Sequence, residues 1–360
     1  LTLLAEALLA IDKAVDVRIE QLHFADTRSA AIVARDAVGL VVECCRFDGV
    51  GSCAVDVEGG RAEVAHCTFD RIGGMGVRLV GGDRATLVPA GHVVRDSRFT
   101  RCGELQRTYH PAIDLDGVGN AALFNEISEL PHIAIRYMGN EHRIEGNLVH
   151  RVVLETGDAG AICTGRDWTA HGNELVGNFV HSIPGSEARF QNAVYIDDMS
   201  SGIAVRGNLF ADCNWGVLVG GGRDVRVEGN AFVRCGKAVS YDARGVGWMA
   251  PHIADPATST LHRRLAAIPI EREPWSSRYP SLRSYLSDRF GRPVGGVVRS
   301  NRLVATPLGR IDDRECVQVE DNLDVASEGC ELEALLRGTR SSAVDVGGVR
   351  VGPVGPRARP

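Results

Sequence analysis

The chain is almost without lysine. Of its 40 basic residues only Lys13 and Lys237 are lysine, so nearly every cation is a guanidinium. The formal net charge is −6, which argues against a partner held by its phosphates. No apolar run reaches the length of a membrane span; the longest, around Leu3–Ala10, is short and carries Glu6. None of the ten cysteines falls in a C-x-x-C pair, which removes a zinc cluster. A Ser/His/Asp or Cys/His arrangement for nucleophilic catalysis is missing too. The run GGGRD, Gly220–Asp224, resembles a phosphate loop, but no helix and no lysine follow it, so that reading falls. With neither an initiator methionine nor a signal peptide at its front, the chain is expected to be a fragment or a mature form.

What is present is glycine, 42 residues of it, and a repeat. A short phrase, apolar-x-x-(Asn, Cys or Ser)-x-apolar, recurs at Cys45, Cys67, Ser97, Asn125, Asn147, Asn178, Asn208, Asn230, Asn301 and Asn322. The spacings are 22, 30, 28, 22, 31, 30, 22, 71 and 21 residues, a unit of about 22 with insertions. A second phrase, small-apolar-x-apolar-x-Gly, follows each time: AVDVEG, GVRLVG, AIDLDG, AIRYMG, AICTG, AVYIDD, GVLVGG, AVSYDA. Each unit therefore holds two or three short alternating runs and no room for a helix. Such units cannot bury a face alone, but stacked they bury a continuous core.

The pattern predicts an all-β fold, a single-stranded right-handed parallel β-helix of about ten to twelve coils spaced about 4.8 Å apart. It is expected to span residues 1–345, with a tail over 346–360. The Asn series is expected to cap backbone groups inside the turns, and the Cys series to stay free and buried. The 71-residue gap holds an extra segment over about 245–295. Within it Leu261, Leu265 and Ile268 suit one helix, and Leu282, Leu286 and Phe290 another. Trp248, Trp275 and Tyr279 would make this segment one wall of a cleft. The opening LTLLAEALLAIDKA reads either as a capping helix or as part of a coil, and the tail as a last strand followed by disorder.

Setting the second phrase in register turns Val55, Val77, Ile113, Ile135, Ile162, Val194, Val217 and Val239 inward. The next residues, among them Asp114, Arg136, Cys163, Tyr195, Leu218 and Ser240, then point outward. Two positions on, a second outward column holds Asp116, Gly165, Asp197, Gly220 and Asp242, with Asp198 in the adjoining turn and the two glycines leaving space around the acids. The long stretches ELQRTYHP, LETGDAG and PGSEARFQN border this face, where a solenoid forms its binding groove. Glu155, Asp158, Asp167, Asp197 and Asp198 concentrate in three consecutive coils. Carboxyl groups so placed can divide the work of glycoside hydrolysis, one held protonated as the acid and one ionised as nucleophile or base.

Register alone does not choose the pair. Asp158 stands four residues before Ile162 and Asp198 four after Val194, about 25 Å apart if both strands run straight. They meet only if GDAG folds back, which its glycines permit. Asp167 with Asp197 or Asp198 needs no bend. Asp158, Asp198, Asp197 and Asp167 are all candidate catalytic carboxyls, with Arg136, Arg166, Tyr195, Arg223, Asp242, Asp116 and Arg244 as candidate substrate-binding residues. Adjacent acids after a strand also suit a solvated turn, and clustered carboxylates suit calcium; otherwise no cofactor is expected. His150 and His181, equivalent in their coils, are expected to stack at the surface rather than bind a metal.

The phrases HPAIDLDGVGNAALFNEISELPHIAIRYMGNEHRIEGNLVH, LETGDAGAICTGRDWTAHGN, NAVYIDDMSSG, VLVGGGRD, DARGVGW and PWSSRYPSL resemble those of bacterial right-handed parallel β-helix repeat proteins related to glycoside hydrolase family 141, over about residues 15 to 345. The resemblance implies a secreted or periplasmic carbohydrate-active enzyme, in a group that includes fucosidase and xylanase activities. It implies a catalytic pair of aspartates about forty residues apart in consecutive coils, which falls on Asp158 and Asp198. A glycoside hydrolase acting on a carbohydrate substrate is therefore expected, a monomer with neither nucleic acid nor membrane as partner. Two rivals stand beside it. One is a polysaccharide lyase using Arg or calcium on a uronate, with Lys237, the one lysine within the repeat, as a base. The other is a non-catalytic carbohydrate-binding rod.

Overall fold

The computed structural model describes residues 5–185, 189–325, 344–346 and 349–358. Short strands separated by sharp turns build three long sheets, each strand pairing in parallel with its counterpart one turn later. The first sheet has ten strands, from Leu9–Asp12 to Lys237–Asp242. The second has eleven, from Arg18–Glu20 to Val317–Glu320, and the third eleven, from His23–Ala25 to Leu323–Asp324. The chain is a parallel β-helix of eleven turns, as its repeat predicts. At about 4.8 Å per turn the rod is roughly 50 Å long.

The recurring phrase builds the corner between the second and third sheets. The residue before each ladder position is left-handed: Cys44, His66, Asp96, Phe124, Gly146, Gly177, Gly207, Gly229, Ser300 and Asp321 all have positive φ between 50° and 64°. Glycine there relieves strain that the other side chains must bear. The corner exposes one backbone N–H per turn to the interior, and the next turn's side chain accepts it. Asn147 N donates to Asn178 Oδ1 at 3.0 Å, Asn178 N to Asn208 Oδ1 at 2.8 Å and Asn208 N to Asn230 Oδ1 at 2.9 Å. The ladder continues without a break from Cys45 to Asn322. A second ladder, invisible in the repeat, joins the first sheet to the second: Ala62 N to His92, His92 N to Asn120, Asn120 N to His142 and His142 N to Asn173.

Inside, the apolar positions stack in columns. Phe24, Phe47, Phe69 and Phe99 lie face to face with centroids 4.4–5.0 Å apart. The buried cysteines, including Cys102, Cys213 and Cys235, are free and serve as small apolar residues. His150 and His181 stack at 4.9 Å, as their equivalence suggests.

Residues Leu9–Asp12 form a strand paired with Ile32–Arg35, so of the two readings of the opening stretch this part takes the coil and not the capping helix. Two expectations need correction. The insertion contains three short helices, Ala250–Ala254, Thr260–Ala266 and Trp275–Arg278, and a tight 3-10 turn at Pro280–Ser284. No helix carries Leu286 and Phe290. The insertion clamps to the rod because Trp275, Leu282 and Tyr285 bury against Leu87, Trp168 and Met199. The tail is not simply a strand followed by disorder. Val344–Val346 pairs antiparallel with Val349–Val351, and the segment beyond lies on the third sheet. Val354 is buried against Leu148, Phe179 and Leu209, and Arg357 Nε bonds Asp96 Oδ1 at 2.9 Å.

No helix among the described residues is long and apolar enough to cross a membrane.

Candidate functional site

A cavity of about 440 Å³ opens on the first sheet, within the usual size range of small-ligand sites. Two kinds of excursion make its walls. On one side stand the loops that join the third sheet to the first, contributing Tyr109, His132, Asp158 and Phe190. On the other the insertion, which leaves the turn between the first and second sheets, contributes Arg244 and Trp248. Cys163, Tyr195, Leu218 and Ser240 form the floor and are successive members of one outward column, as the register predicts.

The strand ending YIDD divides its two acids. Asp197 is the last strand residue, level with Gly165, and faces the cavity. Asp198 has a positive φ of 35° and turns back, where it is 3 % exposed. Its carboxylate accepts Arg166 Nε at 2.6 Å and Arg244 Nη1 at 2.8 Å. Arg244 also donates Nη1 to Asp197 at 2.7 Å and holds Asp242 through Nε and Nη2. One buried guanidinium thus ties three carboxylates together. It occupies the place a cation would take, and among the described residues no group of three His, Cys, Asp or Glu is arranged to hold a metal.

Gly220 follows from Arg244. A Cβ at Gly220 would come within 2.4 Å of the Arg244 guanidinium carbon, so the glycine makes room for the arginine rather than open space for a ligand.

Asp158 reaches the site from the opposite wall. The straight-strand separation from Asp198 does not apply, because Asp158 stands one residue before the strand Ala159–Gly165, in a left-handed turn at φ 50° and exposed at the rim, where the long Tyr195 side chain reaches it. Tyr195 donates its hydroxyl to Asp158 Oδ1 at 3.0 Å and also touches Asp197. One phenol within reach of both carboxyls keeps them no more than about two hydrogen-bond lengths apart, about 6 Å at most.

The electrostatics separate the groups further. Burial, and after it the charge of Asp198, pushes the Asp197 carboxyl above its ordinary range. Burial and then Asp197 likewise push up the Tyr195 phenol, which stays a hydrogen-bond donor. The Cys163 thiol is pushed up to about 12 by the same two causes, so it is no nucleophile. His132 is lowered to about 4 by burial and remains neutral.

Four residues expected at the site lie elsewhere. Asp167 is buried under a turn, where its carboxylate accepts the Thr169 N–H at 2.8 Å and hydroxyl at 2.6 Å, with Arg84 Nη2 3.1 Å away. Arg223 is buried against the Tyr285 ring and donates to Asp288 O at 2.7 Å, pinning the insertion. Arg136 forms a two-pronged pair with Asp114 at 2.8 and 2.7 Å. Asp116 is exposed on the coil of Asp114, three turns and roughly 14 Å along the rod from Asp197. Neither Arg136 nor Asp116 lines the cavity. Of the expected aromatic wall, Trp248 lines it, whereas Trp275 is fully buried and Tyr279 packs on His171.

Other lining residues escaped the sequence reading. Trp215 and Phe190, in edge-to-face contact at 5.3 Å, give the cavity an aromatic side, to which Tyr109 adds a third ring. Trp215 was discoverable, since it lies two residues before Val217 in the register of Asn192 and Lys237. Phe190, Tyr109 and Arg310 sit in irregular segments with no ladder to place them.

No family model matches the chain, and no curated protein does. Among solved structures, a glycoside hydrolase is similar over 59 % of this chain at 22 % identity and a TM-score of 0.43; the chain spans 37 % of that protein's length. An alginate lyase in complex with a trisaccharide is similar over 96 % of this chain and 87 % of its own, at 10 % identity and a TM-score of 0.44. A second alginate lyase complex has the same coverage and identity, with a TM-score of 0.40.

Proposed function

We propose that the protein is a glycoside hydrolase, with Asp197 as general acid and Asp158 as its partner carboxylate. The observation that carries this is the Tyr195 hydroxyl placed between the two, 3.0 Å from Asp158, at the floor of an aromatic-sided cavity. Carboxyl pairs about 5–9.5 Å apart hydrolyse glycosidic bonds. Asp197, pushed up by burial and by Asp198, holds a proton for the leaving oxygen as its bond to the anomeric carbon breaks. Asp158, exposed at the rim, attacks that carbon or deprotonates the water that does. Asp198 is a positioning residue, locked by Arg166 and Arg244. Phe190, Tyr109 and Trp248, all exposed, offer flat apolar faces to sugar rings, and no cofactor enters the scheme.

Lysis of a uronate polymer fits the cavity less well. Arg244 is saturated by three carboxylates, and Lys237 lies over the Trp215 ring at 4.0 Å without lining the cavity. Four acids, Asp158, Asp197, Asp198 and Asp242, face three arginines, Arg166, Arg244 and Arg310, with Arg310 at the exposed rim. The interior therefore disfavours an anionic ring at the point of cleavage.

The test is release of reducing ends from a panel of polysaccharides by the wild type and by D158N and D197N. Each variant should lose on the order of 10²–10⁴-fold in kcat while keeping the fold. Full activity in either would overturn the assignment, and an ultraviolet-absorbing unsaturated product would replace hydrolysis with elimination.

A further inference from the structure

A second cavity of about 290 Å³ adjoins the first. The two share Arg166, Asp198 and Trp248 as a common wall. The far side belongs to the insertion: Met249, His252, Thr258, Ser259, Thr260 and Leu261. This segment is firmly seated. Leu261 is buried in the insertion's own core, and Arg264 donates to the carbonyls of Gly165 at 3.1 Å and Arg166 at 2.8 Å, on the strand end beneath the wall.

The two spaces differ in charge. In the first, Asp197, Asp198 and Asp242 have already claimed the Arg244 guanidinium, and Asp158 adds a further acid at the rim. The second contains one acid, Asp198, which is buried and held by both Arg166 and Arg244. Arg166 commits only its Nε to that contact. Its side chain is 64 % exposed, and its two terminal nitrogens make no hydrogen bond among the described residues. The exposed imidazole of His252 stands edge-on to Trp248, with centroids 6.1 Å apart, while the nearby Thr258 hydroxyl is already given to Asp255 Oδ2 at 3.0 Å. The free terminal nitrogens of a planar guanidinium and a ring nitrogen around one pocket match a carboxylate or a sulfate. The half-open Trp248 ring offers a face on which the ring bearing that group can rest.

We propose that this cavity is a second sugar subsite, taking the residue next to the cleaved bond, and that it selects a residue carrying an anionic substituent, a carboxylate or a sulfate ester. The inference rests on the hydrolase reading and adds the substrate class: a mixed glycan with a neutral ring at the Asp158/Asp197 cavity and an acidic ring beside it. The acidic ring binds through the terminal nitrogens of Arg166 and through His252. The Asp198–Arg166 pair sits between the rings, so occupancy of the second space orders the arginine that holds the acid's neighbour.

The probe is a glycan array of neutral, uronate-bearing and sulfated oligosaccharides, read with D158N protein, whose altered side chain is exposed and whose ligands stay intact. For a mixed glycan that binds, affinity is then measured against its neutral parent by titration calorimetry. The acidic member should bind about tenfold or more tightly, the worth of one charge-assisted contact. H252A and R166M should each bring it toward the affinity of the parent. Uronate and sulfate arms tell the two anions apart. Equal binding of acidic and neutral partners, or a preference untouched by both variants, overturns the inference and leaves the hydrolase reading standing. Failure of every glycan to bind removes both.

Discussion

Arg244 is the residue whose loss the structure prices most clearly. Replacing it with methionine keeps much of the volume over Gly220 but strips the cation from Asp197, Asp198 and Asp242. Breaking a fully buried pair costs about 3–5 kcal/mol, mostly because a charge is left without a partner. Asp198 is 4 % exposed at its side chain, whereas Asp197 and Asp242 are each 27 % exposed and recover some hydration. Arg166 still reaches Asp198. A loss of about 3 kcal/mol near neutral pH follows, and with a urea m-value of about 3 kcal/mol/M the unfolding midpoint moves down by about 1 M. The pH dependence sharpens the test. The Asp197 carboxyl is raised by burial and by Asp198, and Arg244 holds it down in part. A group whose folded value lies above its unfolded one contributes stability at low pH that is lost as pH rises through the folded value. Removing Arg244 raises that value further, so the deficit of R244M is greatest near pH 7 and shrinks toward about pH 5. Urea titrations followed by intrinsic fluorescence at both pH values measure it. A midpoint shift below about 0.3 M at pH 7, or an equal shift at both, would refute the claim that one guanidinium neutralises the three acids. R244K should recover only part of the loss, since an ammonium cannot span the same fork.

Further predictions concern the phenol, the Asn ladder and the buried histidines. Y195F removes the hydroxyl between Asp158 and Asp197 and should lower kcat by roughly 10²-fold with KM little changed, as steady-state kinetics will show. N208A strands the backbone and side-chain donors of Asn178 that its Oδ1 accepts, while Asn230 Oδ1 keeps the backbone N–H of residue 208, and should cost about 2–4 kcal/mol by urea titration with activity intact below the new midpoint. Burial lowers His142 to about 4, so the unfolded chain takes up this proton first as pH falls from about 6.5 toward 4. That single group removes roughly 3 kcal/mol over the window, and in an H142N variant, which keeps an acceptor for Asn120 N–H, the acid-side loss should be smaller by about that amount.

The fold was readable because its stabilising elements recur. The same backbone N–H appears at the same corner in every turn, so the same side chain returns every 22 residues or so, and the phase of the strands follows from it. That phase placed Tyr195, Cys163, Leu218 and Ser240 on one outward column. The site was less readable because it depends on departures from the repeat. Asp158 was four residues out of reach on a straight strand, and the left-handed turn that holds it, φ 50°, leaves no periodic mark in the sequence. Arg223 and Asp167 sit among plausible site residues but are taken by local partners, Asp288 and Thr169, that no periodicity marks. Arg244 lies at the first step of the insertion, where the ladder stops and register says nothing about the direction of a side chain.

The adjacency of Asp197 and Asp198 has a chemical consequence. Successive residues at a strand end point to opposite sides, so one carboxyl meets the cavity while the other turns inward to the arginines. Because they are neighbours, the charge on Asp198 acts on Asp197 at short range and helps keep its proton on. An isosteric D198N removes that charge. It also frees Arg166 and the shared Nη1 of Arg244 to interact more with Asp197 alone. Both changes favour the ionised form of Asp197, so its proton leaves at lower pH. The alkaline limb of the kcat–pH profile, where the general acid deprotonates, should therefore move to lower pH in D198N, with activity surviving on the acid side. D197N should be inactive at every pH. A limb that stays in place, or moves upward, would mean that Asp198 does not tune Asp197 and that the proton comes from another group.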